Sequence, residues 1–371
     1  MSDASLDVLA VGNAMLDVLV RTGDAWLAAE GVEKGVMTLI GEARAAELHG
    51  KVVPAAERSG GSAANTAAGL ASLGARAGYI GRVRDDAAGT AFRRDIREAG
   101  VRFDTPAATV GAATGRCLVF VTPDAQRSML TMLGAAAEIE PADIDEAAAA
   151  EAAVTYLEGY LWDAPAAKAA MVKLADAART AGRRVALTLS DPFCVDRHRE
   201  TFLELIAERV DILFANEEEA VSLTGAADLR DAANMVSGIV ETAALTRSAQ
   251  GSLIVSGGGR EEVPAARVAR LADTTGAGDL YAAGFLHAYA RSRPLAECAW
   301  LGSLAAGRII EQMGARPDEP LAGLPAAALN AADVANGGVG AAAAPNAANI
   351  ANGGVGAAAV SLGVGNPCAA A

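Results

Sequence analysis

Apolar residues in this chain come in short blocks separated by helical stretches, and that rhythm sets the expected fold. Leu6 to Val11 is a short, mostly apolar run ending at Gly12-Asn13, the pattern of a buried strand meeting a turn. Asp17 to Arg21 and Gly35 to Ile40 read as further strands, and Glu42 to His49 as a helix. After Gly60-Gly61, the small-residue stretch Ala63 to Leu73 predicts a helix able to pack closely on a sheet. A strand at Ala77 to Ile80 and a helix at Gly89 to Ala99 follow. Arg116 to Thr122 and Ser128 to Leu133 read as two β segments joined by a turn at Pro123-Asp124. From Ile139 onward, strands at Val154 to Leu157, Val185 to Ser190, Ile212 to Ala215, Ala243 to Thr246 and Ser252 to Val255 are separated by helical stretches. Alternation of this kind predicts a parallel sheet covered on both faces. Ligands of such sheets bind beyond the carboxyl ends of the strands.

The expected architecture is therefore α/β, a Rossmann-like, doubly wound, mostly parallel sheet with a small β-sheet lid. The large nucleotide-binding domain is expected over 1–14, 44–101 and 134–330, and the lid over 15–43 and 102–133. The tail, 331–371, differs: 335–343 and 351–359 repeat one nonamer, and beyond Asn330 the only charged side chain is Asp333. Two copies are too few for a solenoid, so the tail reads as flexible and low in complexity.

Composition narrows the function. The 371 residues are 52% hydrophobic and 20% charged, enough for a large core. A net charge of −14 argues against nucleic acid or an anionic membrane as partner. The cysteines (Cys117, Cys194, Cys298, Cys368) form no CxxC pair, and with three histidines no zinc spacing arises. An acidic start without a basic leader, and no long uncharged apolar run, lead us to expect a cytoplasmic protein.

The most informative stretch is Asp273-Thr274-Thr275-Gly276-Ala277-Gly278-Asp279, which ends a β-type segment and opens a helical one, Leu280 to Arg291. Its glycines allow a tight turn, and the first amides of the helix make an anion site. A carboxylate beside such a site repels phosphate, so Asp279 asks for a reason; proton abstraction from an attacking hydroxyl supplies one. The alternative is that Asp279 merely caps its helix. Upstream, Gly60-Gly61-Ser62-Ala63-Ala64-Asn65-Thr66-Ala67 is a second glycine hinge, with Asn65 able to donate to and accept from ligand hydroxyls.

Together the two motifs resemble the signatures of the ribokinase-like carbohydrate kinases, the PfkB family, over about Val8 to Pro317. No Walker A sequence is present, so a P-loop kinase is not supported. The resemblance implies that Asp279 is the general base and that Gly276, Ala277 and Gly278 stabilise charge on the transferring phosphoryl group. Asn216-Glu217-Glu218-Glu219 matches the family's Asn-x-x-Glu element, where Glu219 would organise Mg2+ through water; a solvated helix start is the alternative. Thr246-Arg247-Ser248-Ala249-Gln250-Gly251 resembles the nucleotide-binding turn, although Ser248 stands where the family usually has glycine. Ser303 is placed near the ATP base. ATP with Mg2+ is implied, a monovalent-cation requirement stays open, and so does the choice of monomer or homodimer.

Two cues concern the acceptor. Gly12-Asn13-Ala14-Met15-Leu16-Asp17 resembles the adenosine-kinase branch, in which Asp17 would grip a ribose diol with Asn13, Gly61 and Asn65 beside it. Arg127, in Pro123 to Ser128, would swing in with the lid to meet the transferring phosphate. Leu157 to Trp162 and Leu189 to Phe193 also match that branch. Trp26, Phe103, Leu161 and Trp162 are candidates for the purine walls, with core packing as their alternative. We expect phosphorylation of a primary hydroxyl, foremost the 5′-hydroxyl of adenosine. A sugar kinase acting on ribose or fructose, and a non-catalytic sensor of nucleosides or sugars, are the rivals. An oxidoreductase ranks last, because no Gly-x-Gly-x-x-Gly follows the first strand.

Overall fold

The computed structural model describes residues 4–124 and 126–325. The repeated nonamers and Cys368 lie outside them. Thirteen strands form two sheets. The larger contains β1 (Leu6–Val11), β5 (Ala77–Ile80), β8 (Ala152–Glu158), β9 (Arg184–Thr188), β10 (Ile212–Asn216), β11 (Thr242–Thr246), β12 (Ser252–Ser256) and β13 (Gly259–Val263). Their spatial order is β13-β12-β11-β10-β9-β8-β1-β5. Pairing is parallel from β5 to β11 and antiparallel for β12 and β13. Residues of β1 alternate between two cores: Val8 and Ala10 join one, Leu6, Leu9 and Val11 the other. Burial on both faces explains why its residues from Val8 to Val11 are all apolar.

The smaller sheet has the order β3-β7-β6-β2-β4, with β2 (Met15–Arg21), β3 (Met37–Leu39), β4 (Ala56–Gly60), β6 (Gly115–Val121) and β7 (Arg127–Met132). Strand β2 shows the period of two. Leu16, Val18 and Val20 point into a core with Leu27, Leu48 and Phe120, while Met15, Asp17 and Leu19 line a cleft on the other side. Leu27 and Leu48 come from the helices Asp24–Ala29 and Glu42–Gly50, which cover the outer face of this sheet.

The observed fold departs from the expectation in five places. Strand β12 follows β11 across a turn of five residues, too few for a parallel crossover, so the two pair antiparallel. Strand β13 was not expected. Strand β4, inside the stretch assigned to the large domain, belongs to the small sheet; its sequence Ala-Glu-Arg-Ser-Gly offers no apolar alternation. Before β6, Arg102 and Ala108 instead bridge to Gly78 and Arg84 of the main body. The residues ahead of Asp273 form no strand, and the helix there begins at Ala277.

Candidate active site

Two helices bring the two glycine motifs together. Ser62–Ser72 packs against Ala277–Tyr289 through small residues; a Cβ on Gly69 would stand 2.6 Å from Leu280 and 3.0 Å from Ala283. That closeness sets their N-termini side by side. Ser62 Oγ donates to Asp279 Oδ1 at 2.7 Å, and Asn65 Nδ2 to Asp279 Oδ2 at 2.9 Å. The N-cap of the second helix is Gly276 in the left-handed region (φ 79°), so Asp279 does not cap it. Leu280 N reaches back to Gly276 O, which leaves the amides of Gly278 and Asp279 at the open end of the helix. Burial raises the Asp279 pKa, while the bonds from Ser62 and Asn65 and the charge of Arg316 pull it down.

These groups face a cleft of about 760 Å³ between the sheets. It opens at the carboxyl ends of the parallel strands, where Asn13, Glu158, Thr188, Asn216 and Thr246 stand. Asp17 and Arg127 reach it from the small sheet. The Asp17 carboxylate accepts no hydrogen bond among the described residues. Burial pushes its pKa up to about 7; Arg316 and Arg127 oppose the rise and Asp279 adds to it.

Of the residues expected in the site, Asn13, Asp17, Gly61, Asn65, Arg127, Asn216, Glu219, Thr246, Gly276, Ala277, Gly278 and Asp279 line this one cleft. Arg247, Gly251 and Ser303 do not. Arg247 turns to Gln250 and Glu262. Gly251 (φ 86°) lies so close to β13 that a Cβ would meet Val263 O at 2.0 Å. Ser303 is buried in the helix Leu295–Ile310. The four proposed purine walls also lie elsewhere: Phe103, Leu161 and Trp162 belong to the cores, and Trp26 packs on Phe120. Ser248 adopts φ 51°, which explains why glycine is usual there.

Asn216 and Glu219 form a reciprocal cap: Asn216 N and Nδ2 donate to Glu219 (2.9 and 2.7 Å), and Glu219 N to Asn216 Oδ1 at 2.8 Å. Glu219 is nonetheless buried, and that burial pushes its pKa up to about 7. Arg127 Nη2 stands 2.8 Å from Asp273 Oδ2, off the direction a hydrogen bond requires. Asp273 is otherwise held by Thr275 (N 3.0 Å, Oγ1 2.7 Å) and by Gly314 N at 2.8 Å. Arg127 thus ties the small sheet to the glycine loop.

Sequence reasoning missed three supports. Glu158 Oε1 accepts from Asn13 N (3.2 Å) and Nδ2 (2.8 Å), and Oε2 from Ala63 N at 2.8 Å, so it fixes both the Gly12-Asn13 turn and the start of the helix Ser62–Ser72. It closes the β8 run already matched to the kinase branch. Ser62 sat inside the upstream motif. Arg316 had no signal: its Nη2 donates to Ser59 O (2.7 Å) and Oγ (3.0 Å), while Nε and Nη1 are buried without partners among the described residues. Its charge opposes the rise of the pKa of both Asp17 and Asp279.

A prediction follows from Asp17. Its carboxyl holds a proton in the folded chain between the ordinary range near 3.8 and about 7, whereas the unfolded chain does not. That stability is present at low pH and is lost as pH rises through about 7. Asp17→Asn is therefore expected to raise the Tm of the ligand-free protein by about 3 °C at pH 8 and by less at pH 5, where the loss is only partly developed, and to weaken acceptor binding at least tenfold. Melting curves at both pH values check it; equal shifts at both would show that Asp17 is not held against its charge.

Comparison with known proteins agrees with this geometry. A family model described as pfkB family carbohydrate kinase matches residues 33–322. The adenosine kinase of Sinorhizobium meliloti is similar over 88% of this chain and 100% of its own, with 48% identity and a TM-score of 0.80. A probable sugar kinase protein from Rhizobium etli CFN 42 is similar over 88% and 100%, with 45% identity and a TM-score of 0.81. The cytidine kinase of Thermococcus kodakarensis is 37% identical over 140 residues, 37% of this chain and 50% of that protein.

Proposed function

The chain belongs to the pfkB family of carbohydrate kinases, phosphotransferases with an alcohol group as acceptor, and on that premise we propose that its acceptor is the 5′-hydroxyl of adenosine. The observation that carries this reading is the pair of carboxylates, Asp17 and Asp279, facing one cleft beside Asn13 and Asn65. Asp17, without a partner of its own, can accept from two adjacent hydroxyls of a ribose. Asn65 and Ser62 already orient the Asp279 carboxylate, so its free lone pairs can take the proton of the attacking hydroxyl. Its raised pKa makes it a better base than an ordinary carboxylate near neutral pH. The 48% identity to an adenosine kinase supports adenosine over other acceptors.

In this reading the amides of Gly278 and Asp279 lie along the phosphoryl group, and Arg127 turns its guanidinium from Asp273 toward it. Closure of the small sheet keeps water out and limits hydrolysis of ATP. The donor set fits Mg2+: Glu219 offers carboxylate oxygens at the cleft, and magnesium is commonly bound by one or two carboxylates together with substrate phosphates. Glu219 would hold the ion, which would offset phosphate charge. Free, buried Cys117, Cys194 and Cys298 support a reducing compartment.

The likeness to a probable sugar kinase favours a second reading, a free sugar as acceptor. Rates of ADP formation with adenosine, cytidine, inosine, ribose and fructose test both. We expect kcat/KM for adenosine to exceed that for each sugar by at least about a hundredfold, because a free sugar forfeits the binding energy of the base. A sugar turned over as well as adenosine would overturn the adenosine assignment. No ADP with any acceptor would revive the sensor.

A further inference from the structure

A second cleft, of about 670 Å³, is lined by Arg84, Arg93, Arg94 and Arg97 and shares no residue with the first. Three of these arginines come from one helix, Ala87–Glu98, where spacings of three and four residues set Arg97 beside both Arg93 and Arg94. Like charges so placed repel. In a chain of net charge −14, carboxylate partners would be the ordinary remedy. Arg84, Arg93 and Arg97 have none among the described residues. Their guanidinium groups donate to main-chain carbonyls instead: Arg93 Nη1 to Thr105 O at 3.2 Å, Arg97 Nε and Nη2 to Phe103 O at 3.1 and 2.6 Å, and Arg84 Nη1 to Gly111 O. Carbonyl bonds fix direction without cancelling charge. Arg93 is further held over the Phe103 ring, 5.9 Å from its centroid. Only Asp85 and Glu98 oppose them at the cleft, and Glu98 stands 4.0 Å from Arg94.

We propose that this cleft binds a phosphate-bearing small molecule through Arg84, Arg93 and Arg97. Each guanidinium keeps N–H donors beyond those spent on carbonyls, and paired donors match phosphate oxygens. The volume lies in the range of small-molecule sites, about 300 to 1,000 Å³. The site is independent of the kinase reading.

The test is calorimetric titration of inorganic pyrophosphate onto the full chain, as wild type, Arg93→Gln/Arg97→Gln and Arg84→Gln. The last variant lies outside the helix, so a folding defect in the pair does not end the test. Both variants are expected to bind at this site at least about tenfold more weakly, with the phosphoryl-transfer rate unchanged. Parallel arms with ribose 5-phosphate and orthophosphate separate an organic phosphate, for which the first binds more tightly, from free phosphate, for which it does not. Isotherms identical to wild type in both variants, or no pyrophosphate bound outside the first cleft, overturn the proposal.

Discussion

Asp279→Asn is expected to lower kcat by about a thousandfold or more and to leave the affinity for acceptor and ATP within a few-fold of wild type. The size follows from removing a positioned general base. Binding survives because the side chain keeps its shape and its neighbours can adapt. Asp279 Oδ1 accepts from Ser62, and the amide oxygen of an asparagine can do the same. The new amide nitrogen faces Asn65, whose own Oδ1 is buried without a partner. A flip of the Asn65 amide turns a donor–donor clash into a hydrogen bond. The wild-type acid limb belongs to the same account: Asp279 must be ionised to accept a proton, and its pKa is raised, so kcat/KM falls at a higher pH than for an ordinary carboxylate. Steady-state kinetics with both substrates checks this. Turnover within tenfold of wild type would remove Asp279 from its role.

Gly61→Ala is expected to cost about 3 to 5 kcal/mol of stability and to weaken acceptor binding with it. Gly61 has φ 101° and ψ 144°, a region that glycine alone adopts freely. A Cβ there would sit 2.0 Å from the Asn13 carbonyl oxygen. Relief requires moving Asn13, which is held to Glu158, or the helix start at Ser62, which holds Asp279. Gly278→Ala is the counterpart. A Cβ on Gly278 meets nothing within 4 Å, so the fold should tolerate it. The methyl group would occupy the space that the account gives to the phosphoryl group, so Tm should hold while kcat falls. Chemical denaturation and kinetics of the two variants separate a glycine kept for the backbone from one kept for a ligand.

Much of this was legible because the chemistry is local in sequence. Asp273 to Asp279 contains the turn, the helix start and the base within seven residues. Gly61, Ser62 and Asn65 sit within five. Their meeting is long-range, but each half carries its own signal. Glu158 is different, since its meaning rests on Asn13 and Ala63, 145 and 95 residues away. Arg316 acts by its charge and by two bonds to Ser59, 257 positions distant, and no local pattern marks such a residue. The aromatic candidates failed for the opposite reason. Apolar residues look alike whether they line a pocket or a core, and Phe103, Leu161 and Trp162 went to the core.

Hydrophobic pattern served the strands with one or two buried faces and the exposed β3, and missed β4 and β13. Strand β4 is exposed along half its length and was invisible. The antiparallel turn from β11 to β12 was there to be read, because no crossover fits between Thr246 and Ser252. Arg247 and Ser303 were assigned to the nucleotide by resemblance to the family; in the structure Arg247 turns to Gln250, and Ser303 is buried in its helix.

The central claim is spatial: one acceptor lies with its diol on Asp17 and its reacting hydroxyl on Asp279. A crystal structure of the protein with adenosine and a non-hydrolysable ATP analogue measures this directly. The expected result has the 5′-oxygen about 3 Å from an Asp279 carboxylate oxygen and both ribose hydroxyls on Asp17. Adenosine bound with its diol away from Asp17, and Asp279 still engaged only by Ser62 and Asn65, would contradict it.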